Sequence, residues 1–186
     1  MEFKESHING VWIITPVRRG DKRGWFMETF RLADFKARTG LSDIEFVQDN
    51  ASLSQRGVLR GLHFQRGSAG QAKLVRVSAG KVLDVAVDLR KGSATFGRYV
   101  AEILSDENGR QLFIPRGFAH GFLVLSDYAR FEYKVDNYYC PQAEGSVRFD
   151  DPTIGIDWPT AGLDLQLSPK DLEAPFLSNL TPDQLP

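Results

Sequence analysis

Arg130-Phe131-Glu132-Tyr133-Lys134-Val135-Asp136 places a charged residue at every second position, with Phe131, Tyr133 and Val135 between them. A repeat of two is the signature of a β-strand, whose successive side chains leave opposite faces of a sheet. The three apolar or aromatic side chains therefore share one face, and the Tyr133 phenol is carried inward with them. Leu83-Asp84-Val85-Ala86-Val87-Asp88-Leu89 repeats the pattern, with one wholly aliphatic face and two carboxylates on the other. Working outward, residues 45 to 150 consist of short apolar stretches punctuated by Gly, Ser, Asp and Asn. Half-buried strands at this spacing predict an antiparallel sandwich or barrel. Two segments depart from it: Leu32 to Thr39, closed by Gly40, predicts a short helix with a glycine C-cap, and the tail from Ser168 predicts a helical turn with Asp171 and Glu173 near its start. The expected fold is an all-β core with short peripheral helices.

With 186 residues, no repeat and no Pro/Ser-rich linker, the chain reads as a single domain over 1–186. Hydrophobic and charged fractions of 42% and 25% are those of ordinary globular proteins, which argues against disorder. A net charge of −1 gives no electrostatic basis for binding nucleic acid or an anionic membrane, so an anion site must be a local cluster of cations. The single cysteine, Cys140, has no internal disulfide partner, which fits a reducing compartment. The first apolar run, Val11 to Ile14, is too short for a signal peptide or a membrane span. The expectation is a soluble cytoplasmic protein.

Gly109-Arg110-Gln111-Leu112-Phe113-Ile114-Pro115-Arg116-Gly117-Phe118-Ala119-His120 reads as a strand, a Pro-Gly turn and a returning strand that points His120 into the barrel. Its Gly, five residues, then Pro-x-Gly-x-x-His resembles the second signature of the cupins, jelly-roll β-sandwich barrels. The first cupin signature needs His-x-His followed by Glu, the ligands of a metal. Here His63-Phe64-Gln65 puts Gln65 in place of the second histidine, and no Asp or Glu lies between Gln65 and Gly80. Lys73 falls in that stretch and would repel a cation, while divalent metals in such sites need three or four protein ligands. The sequence therefore predicts no metal.

A neutral imidazole can remove a proton from the carbon beside a ketone if a cation stabilises the enolate. His63 is the candidate base, Lys73 the enolate stabiliser, and Tyr133 the acid on the opposite face of the substrate. Taken singly, His63 reads equally as a structural histidine and Tyr133 as a core tyrosine. Arg23 and Arg60 suit diphosphate oxygens, or else surface ion pairs such as one with Glu28.

At these residues the chain resembles the dTDP-4-dehydrorhamnose 3,5-epimerase family. The resemblance is carried by Gly20-Asp21-Lys22-Arg23-Gly24, Phe46-Val47-Gln48-Asp49-Asn50, Gly57-Val58-Leu59-Arg60-Gly61-Leu62-His63-Phe64-Gln65 and Lys73-Leu74-Val75-Arg76. It continues through Asp84 to Lys91, Ile114 to Phe122, Asn137-Tyr138-Tyr139, Asp150-Asp151-Pro152, Gly155 to Pro159 and Leu167-Ser168-Pro169-Lys170-Asp171. The resemblance implies that His63 accepts the proton, Asp171 orients it, Tyr133 donates, and Lys73 stabilises the enolate. It also implies substrate contacts from His120, Arg23, Glu28, Gln48, Asn50, Arg60, Glu144 and Lys170, with Tyr139 stacked on thymine. The implied reaction inverts C3 and C5 of dTDP-4-dehydro-6-deoxy-D-glucose on the route to dTDP-L-rhamnose, with no redox cofactor. It implies homodimers too, commonly with N-terminal strands crossing to the partner, for which residues 1–15 are the candidate. Two departures from the family pattern are Ala51, where histidine is frequent, and Pro169, where alanine or glutamate is usual; the second predicts a small shift in how Lys170 and Asp171 reach the site.

Competing readings are an epimerase acting at one carbon only, a sugar 3,4-ketoisomerase, a metal-dependent cupin oxygenase and a non-catalytic carbohydrate-binding jelly roll. Tyr133, as a well-placed acid, argues against the ketoisomerase.

Overall fold

The alternating segment from Arg130 falls in strand β12 (Tyr128–Val135), with Ala129, Phe131 and Val135 buried and Arg130 exposed on the other face. In the computed structural model, which describes residues 1–186, β12 lies antiparallel between β5 (Gln48–Gln55) and β7 (Lys73–Ala79). The sheet runs on from β7 through β10 (Gln111–Ile114) and β2 (Trp12–Thr15) to β1 (Glu2–Glu5), six strands in all. Facing it is a five-stranded sheet ordered β13 (Glu144–Ser146), β6 (Leu59–Gln65), β11 (Phe118–Val124), β8 (Lys81–Asp88) and β9 (Tyr99–Ser105). A hairpin of β3 (Arg18–Asp21) and β4 (Gly24–Met27) forms a sheet of its own. The result is the predicted cupin-type jelly-roll sandwich. Its inner core is built from Val75 and Val77 of β7, Val82 and Ala86 of β8, Phe118 and Phe122 of β11, and Phe131.

The helix predicted at Leu32–Thr39 forms as α1, ended by Gly40 at φ 74°. Its Phe35 packs edge-on against Phe113, 5.0 Å between centroids, and so covers the outer face of the six-stranded sheet. The tail forms a short helix, α2 (Pro169–Leu172). Pro169 occupies its first turn, where a missing N–H costs nothing, so this departure from the family pattern is accommodated.

One expectation is corrected. β8 is not half-buried: Asp84, Asp88, Val85 and Val87 are all fully buried. Its aliphatic face turns away from the sandwich and is covered by Val147, Ile154, Trp158 and Leu177 of the C-terminal tail. Its carboxylate face points inward, which is tolerable only because each acid has partners. Asp88 accepts from Arg90, Ser93 and Thr95, which together outweigh its burial and bring its carboxyl down to about 2. The Pro115–Gly117 turn joins β10 to β11 across the two sheets, and the returning strand carries His120 to the cavity between them, as expected.

One irregularity sets up the site. On β11, His120 pairs with His63 and Phe122 with Arg60, so two steps on β11 oppose three on β6. This is a β-bulge at Gly61 and Leu62. Without it, residues three apart would point to opposite faces; with it, Arg60 and His63 both line the interior. Gly61 sits at φ 126°, and a Cβ there would lie 2.5 Å from Gly121 Cα and 2.7 Å from the His120 carbonyl oxygen. Only glycine allows that approach.

Candidate active site

Between the two sheets lies a cavity of about 340 Å³ lined by Asn50, Arg60, His63, Lys73, His120 and Tyr133. Each arrives from a different constraint: Asn50 and Tyr133 are register partners on β5 and β12, His63 and His120 on β6 and β11, and Lys73 opens β7.

His63 Nε2 lies 2.5 Å from Asp171 Oδ1. A proton on Nε2 donates to the carboxylate and leaves Nδ1 with the free lone pair, the state required of a base. Asp171 is buried and presented from α2, where the Ser168 hydroxyl both accepts from the Asp171 amide and donates to Oδ2 at 2.8 Å. Burial alone would raise this carboxyl; the hydrogen bonds from His63 and Ser168 outweigh it and hold Asp171 below the usual range.

On the far side of the strand pair His120 Nε2 donates to Asp84 Oδ1 at 2.8 Å. Burial holds the His120 imidazole below its ordinary pKa, against the opposing pull of Asp84. Asp84 is fully buried and its second oxygen, Oδ2, has no partner. Its charge acts on Lys73, whose ammonium burial brings down to about 8 despite Asp84 and Glu144. The Lys73 ammonium stands 6.0 Å from the Tyr133 ring centroid. Burial raises the Tyr133 phenol, so it stays a proton donor, with the nearby Arg60 charge opposing. Although His63 and His120 face each other, no group of three or more His, Cys, Asp or Glu side chains is placed to hold a metal ion.

A polar rim adjoins this centre. Tyr139 donates to Glu144 at 2.9 Å, and Lys170 pairs with the same carboxylate at 2.5 Å. Gln48 accepts the Tyr139 amide at 3.3 Å and donates to Asn50 at 3.0 Å. Arg60 is steadied by a bond to Ser54 at 3.1 Å. Two predicted residues stand elsewhere: Arg23 pairs with Asp21 on the exposed β3–β4 hairpin, and Glu28 pairs with Arg31, not with Arg23. Neither lines the cavity. Ala51 is exposed on β5, opposite Glu132.

Sequence reasoning gave no role to Asp84, Ser54 or Ser168. Asp84 carried a misleading signal, since a carboxylate alternating with aliphatic residues reads as one on a solvent face. The two serines carried none.

Fold and site together define an epimerase of the isomerase class built on a cupin-like sandwich. A family model described as dTDP-4-dehydrorhamnose 3,5-epimerase matches residues 5–179, and the chain belongs to that family. It is 54% identical over 173 residues to a dTDP-4-dehydrorhamnose 3,5-epimerase of Salmonella typhimurium, covering 93% of each chain. Among solved structures, dTDP-6-deoxy-D-glucose-3,5-epimerase of Legionella pneumophila, in complex with dTDP-4-keto-L-rhamnose, superposes with a TM-score of 0.94 at 49% identity, over 100% of this chain and 97% of that one. A 3'-monoepimerase from Streptomyces bikiniensis in complex with dTDP-quinovose gives 0.86 at 36% identity, over 93% and 86%. No helix is long and apolar enough to cross a membrane.

Proposed function

We propose that the chain inverts C3 and C5 of dTDP-4-dehydro-6-deoxy-D-glucose in the synthesis of dTDP-L-rhamnose, without a metal or redox cofactor. The observation that carries this reading is His63, backed by Asp171, sharing one cavity with Lys73 and Tyr133. His63 Nδ1 removes the proton beside the ketone, and the protonated ring is supported by the Asp171 carboxylate. Lys73 stabilises the enolate oxygen, and the Tyr133 phenol returns a proton from the other side. Both carbons flank one ketone, so a single set of groups serves both. Arg60, Lys170, Glu144, Gln48, Asn50, His120 and Tyr139 hold the nucleotide sugar, with Tyr139 against the base. The site is cytoplasmic in this reading.

The active form in this reading is a homodimer. Supporting it is the hairpin that bears Arg23, which pairs with no other strand of its own chain and leaves Trp25 56% and Phe26 73% exposed. A second copy is what would bring Arg23 and Glu28 to a cavity. Light scattering of the purified protein tests the dimer.

The chemistry is tested by incubating the 4-keto sugar nucleotide in D2O and locating the label by NMR. Deuterium at both C3 and C5 is expected. Label at C3 alone would make the chain a single-carbon enzyme, like the monoepimerase it resembles at 36% identity.

A further inference from the structure

We propose that Ser168 is a positioning residue for the base: its hydroxyl holds the Asp171 carboxylate in the orientation that presents Oδ1 to His63. The inference rests on the reading of His63 as the proton acceptor. A carboxylate can rotate about its Cβ–Cγ bond, and the orientation seen here aims one oxygen at His63 on β6. Ser168 fixes that orientation from behind, because its Oγ accepts the Asp171 amide at 3.2 Å while donating to Oδ2 at 2.8 Å. One hydroxyl thus ties the backbone and the side chain of the same residue together. Oδ1 is left for His63 at 2.5 Å. The two carboxylate oxygens therefore have separate tasks, one anchored on Ser168 and one orienting the ring.

The charged groups around Asp171 are few. His63 faces it from β6; the Glu144–Lys170 pair lies beside it, and Arg148 reaches the Leu172 carbonyl at the end of α2. None of the cations bonds the Asp171 carboxylate, apart from His63 in its protonated form. Ser168 is thus the only other side chain that donates to it. Its loss leaves a buried carboxylate with one donor fewer, and a protonated Asp171 no longer holds the imidazole with its lone pair on the cavity side.

The test separates this role from helix capping. Ser168→Ala removes both bonds; Ser168→Asp keeps an acceptor for the Asp171 amide but offers no proton and adds a like charge; Ser168→Thr keeps both. Turnover, KM and the pH dependence of kcat/KM are measured for each, beside His63→Ala. Expected for Ser168→Ala and Ser168→Asp is a roughly tenfold lower kcat with KM within about twofold, and an acid limb moved to higher pH. Ser168→Thr should match the parent. Parent-like kcat and acid limb in either Ser168→Ala or Ser168→Asp would overturn the proposal, and so would equal losses in all three. Activity surviving His63→Ala would instead remove the base assignment itself, a separate result.

Discussion

Replacing Gly61 by alanine probes the bulge that brings Arg60 and His63 to one face. The new methyl would meet Gly121 Cα at 2.5 Å and the His120 carbonyl oxygen at 2.7 Å, both backbone atoms that cannot rotate away. It would also place an L side chain at φ 126°. Strain of that kind costs about 1–3 kcal/mol, and overpacking adds about 1–3 kcal/mol. The sum, about 2–6 kcal/mol, corresponds to a fall in Tm of about 4–24 °C for a chain of this size. Gly24 supplies an internal control. It has nearly the same φ, 128°, but a Cβ there meets nothing within 4 Å. Gly24→Ala should therefore show the strain alone, with a loss of about 2–12 °C. The β6–β11 pair must spread to relieve the clash, and a 1 Å displacement of His63 would lower turnover about 100-fold. Thermal unfolding by circular dichroism and deuterium incorporation into the 4-keto sugar measure the two effects. Equal Tm values for the two variants, or a Gly61→Ala turnover within twofold of the parent, would refute the steric reasoning.

Other outcomes follow from the same geometry. Burial brings Lys73 to about 8; with its protonated ammonium as the proposed enolate stabiliser, kcat/KM should fall as pH rises through about 8. Asp84→Asn removes a charge that raises this pKa and should move the alkaline limb lower; an unmoved limb would dissociate Lys73 from the titration. Tyr133→Phe should keep deuterium exchange at the carbon His63 attacks while losing inverted product by about two orders of magnitude, read by NMR of the sugar ring protons. Incubation with EDTA followed by desalting should leave turnover within error of the untreated enzyme, because His63 and His120 gain no third ligand. A full loss restored by a divalent ion would reverse the assignment.

The strands were legible wherever one face was polar. Phe131, Tyr133 and Val135 announced β12 by alternation, and Gly40 announced the end of α1. Alternation misjudged β8 for a physical reason: it reports the difference between two faces, not which one is buried. Asp84 and Asp88 looked like a solvent face, whereas His120, 36 positions away, and the Arg90–Ser93–Thr95 cluster make their burial acceptable. The site was legible in part. His63, Lys73 and Tyr133 emerged from a damaged metal motif and an inward-facing phenol. Arg60 and His63 sit three apart, an odd spacing that argues for opposite faces unless a bulge intervenes, and the bulge depends on Gly121 as much as on Gly61. The pairing of His63 with Asp171 spans 108 positions and was available only through family resemblance. Ser168 was visible as a helix start, but its bond to the carboxylate depends on a side-chain torsion that no spacing encodes.

The tail that covers the outer face of β8 has a bearing on how the enzyme comes into being. The last strand of the sandwich ends at Ser146, so every strand exists before Asp171 has been synthesised. Domains assemble from the N-terminus as the chain emerges from the ribosome. A chain paused at that stage would hold His63 without its carboxylate and would bare Val85, Val87 and Leu123 to solvent. The same stretch of polypeptide that hides this greasy surface also brings Asp171 to His63. In the proposed mechanism, cover for this surface and a complete base are therefore gained in one event, so a nascent or clipped molecule should be silent for the same reason that it is sticky.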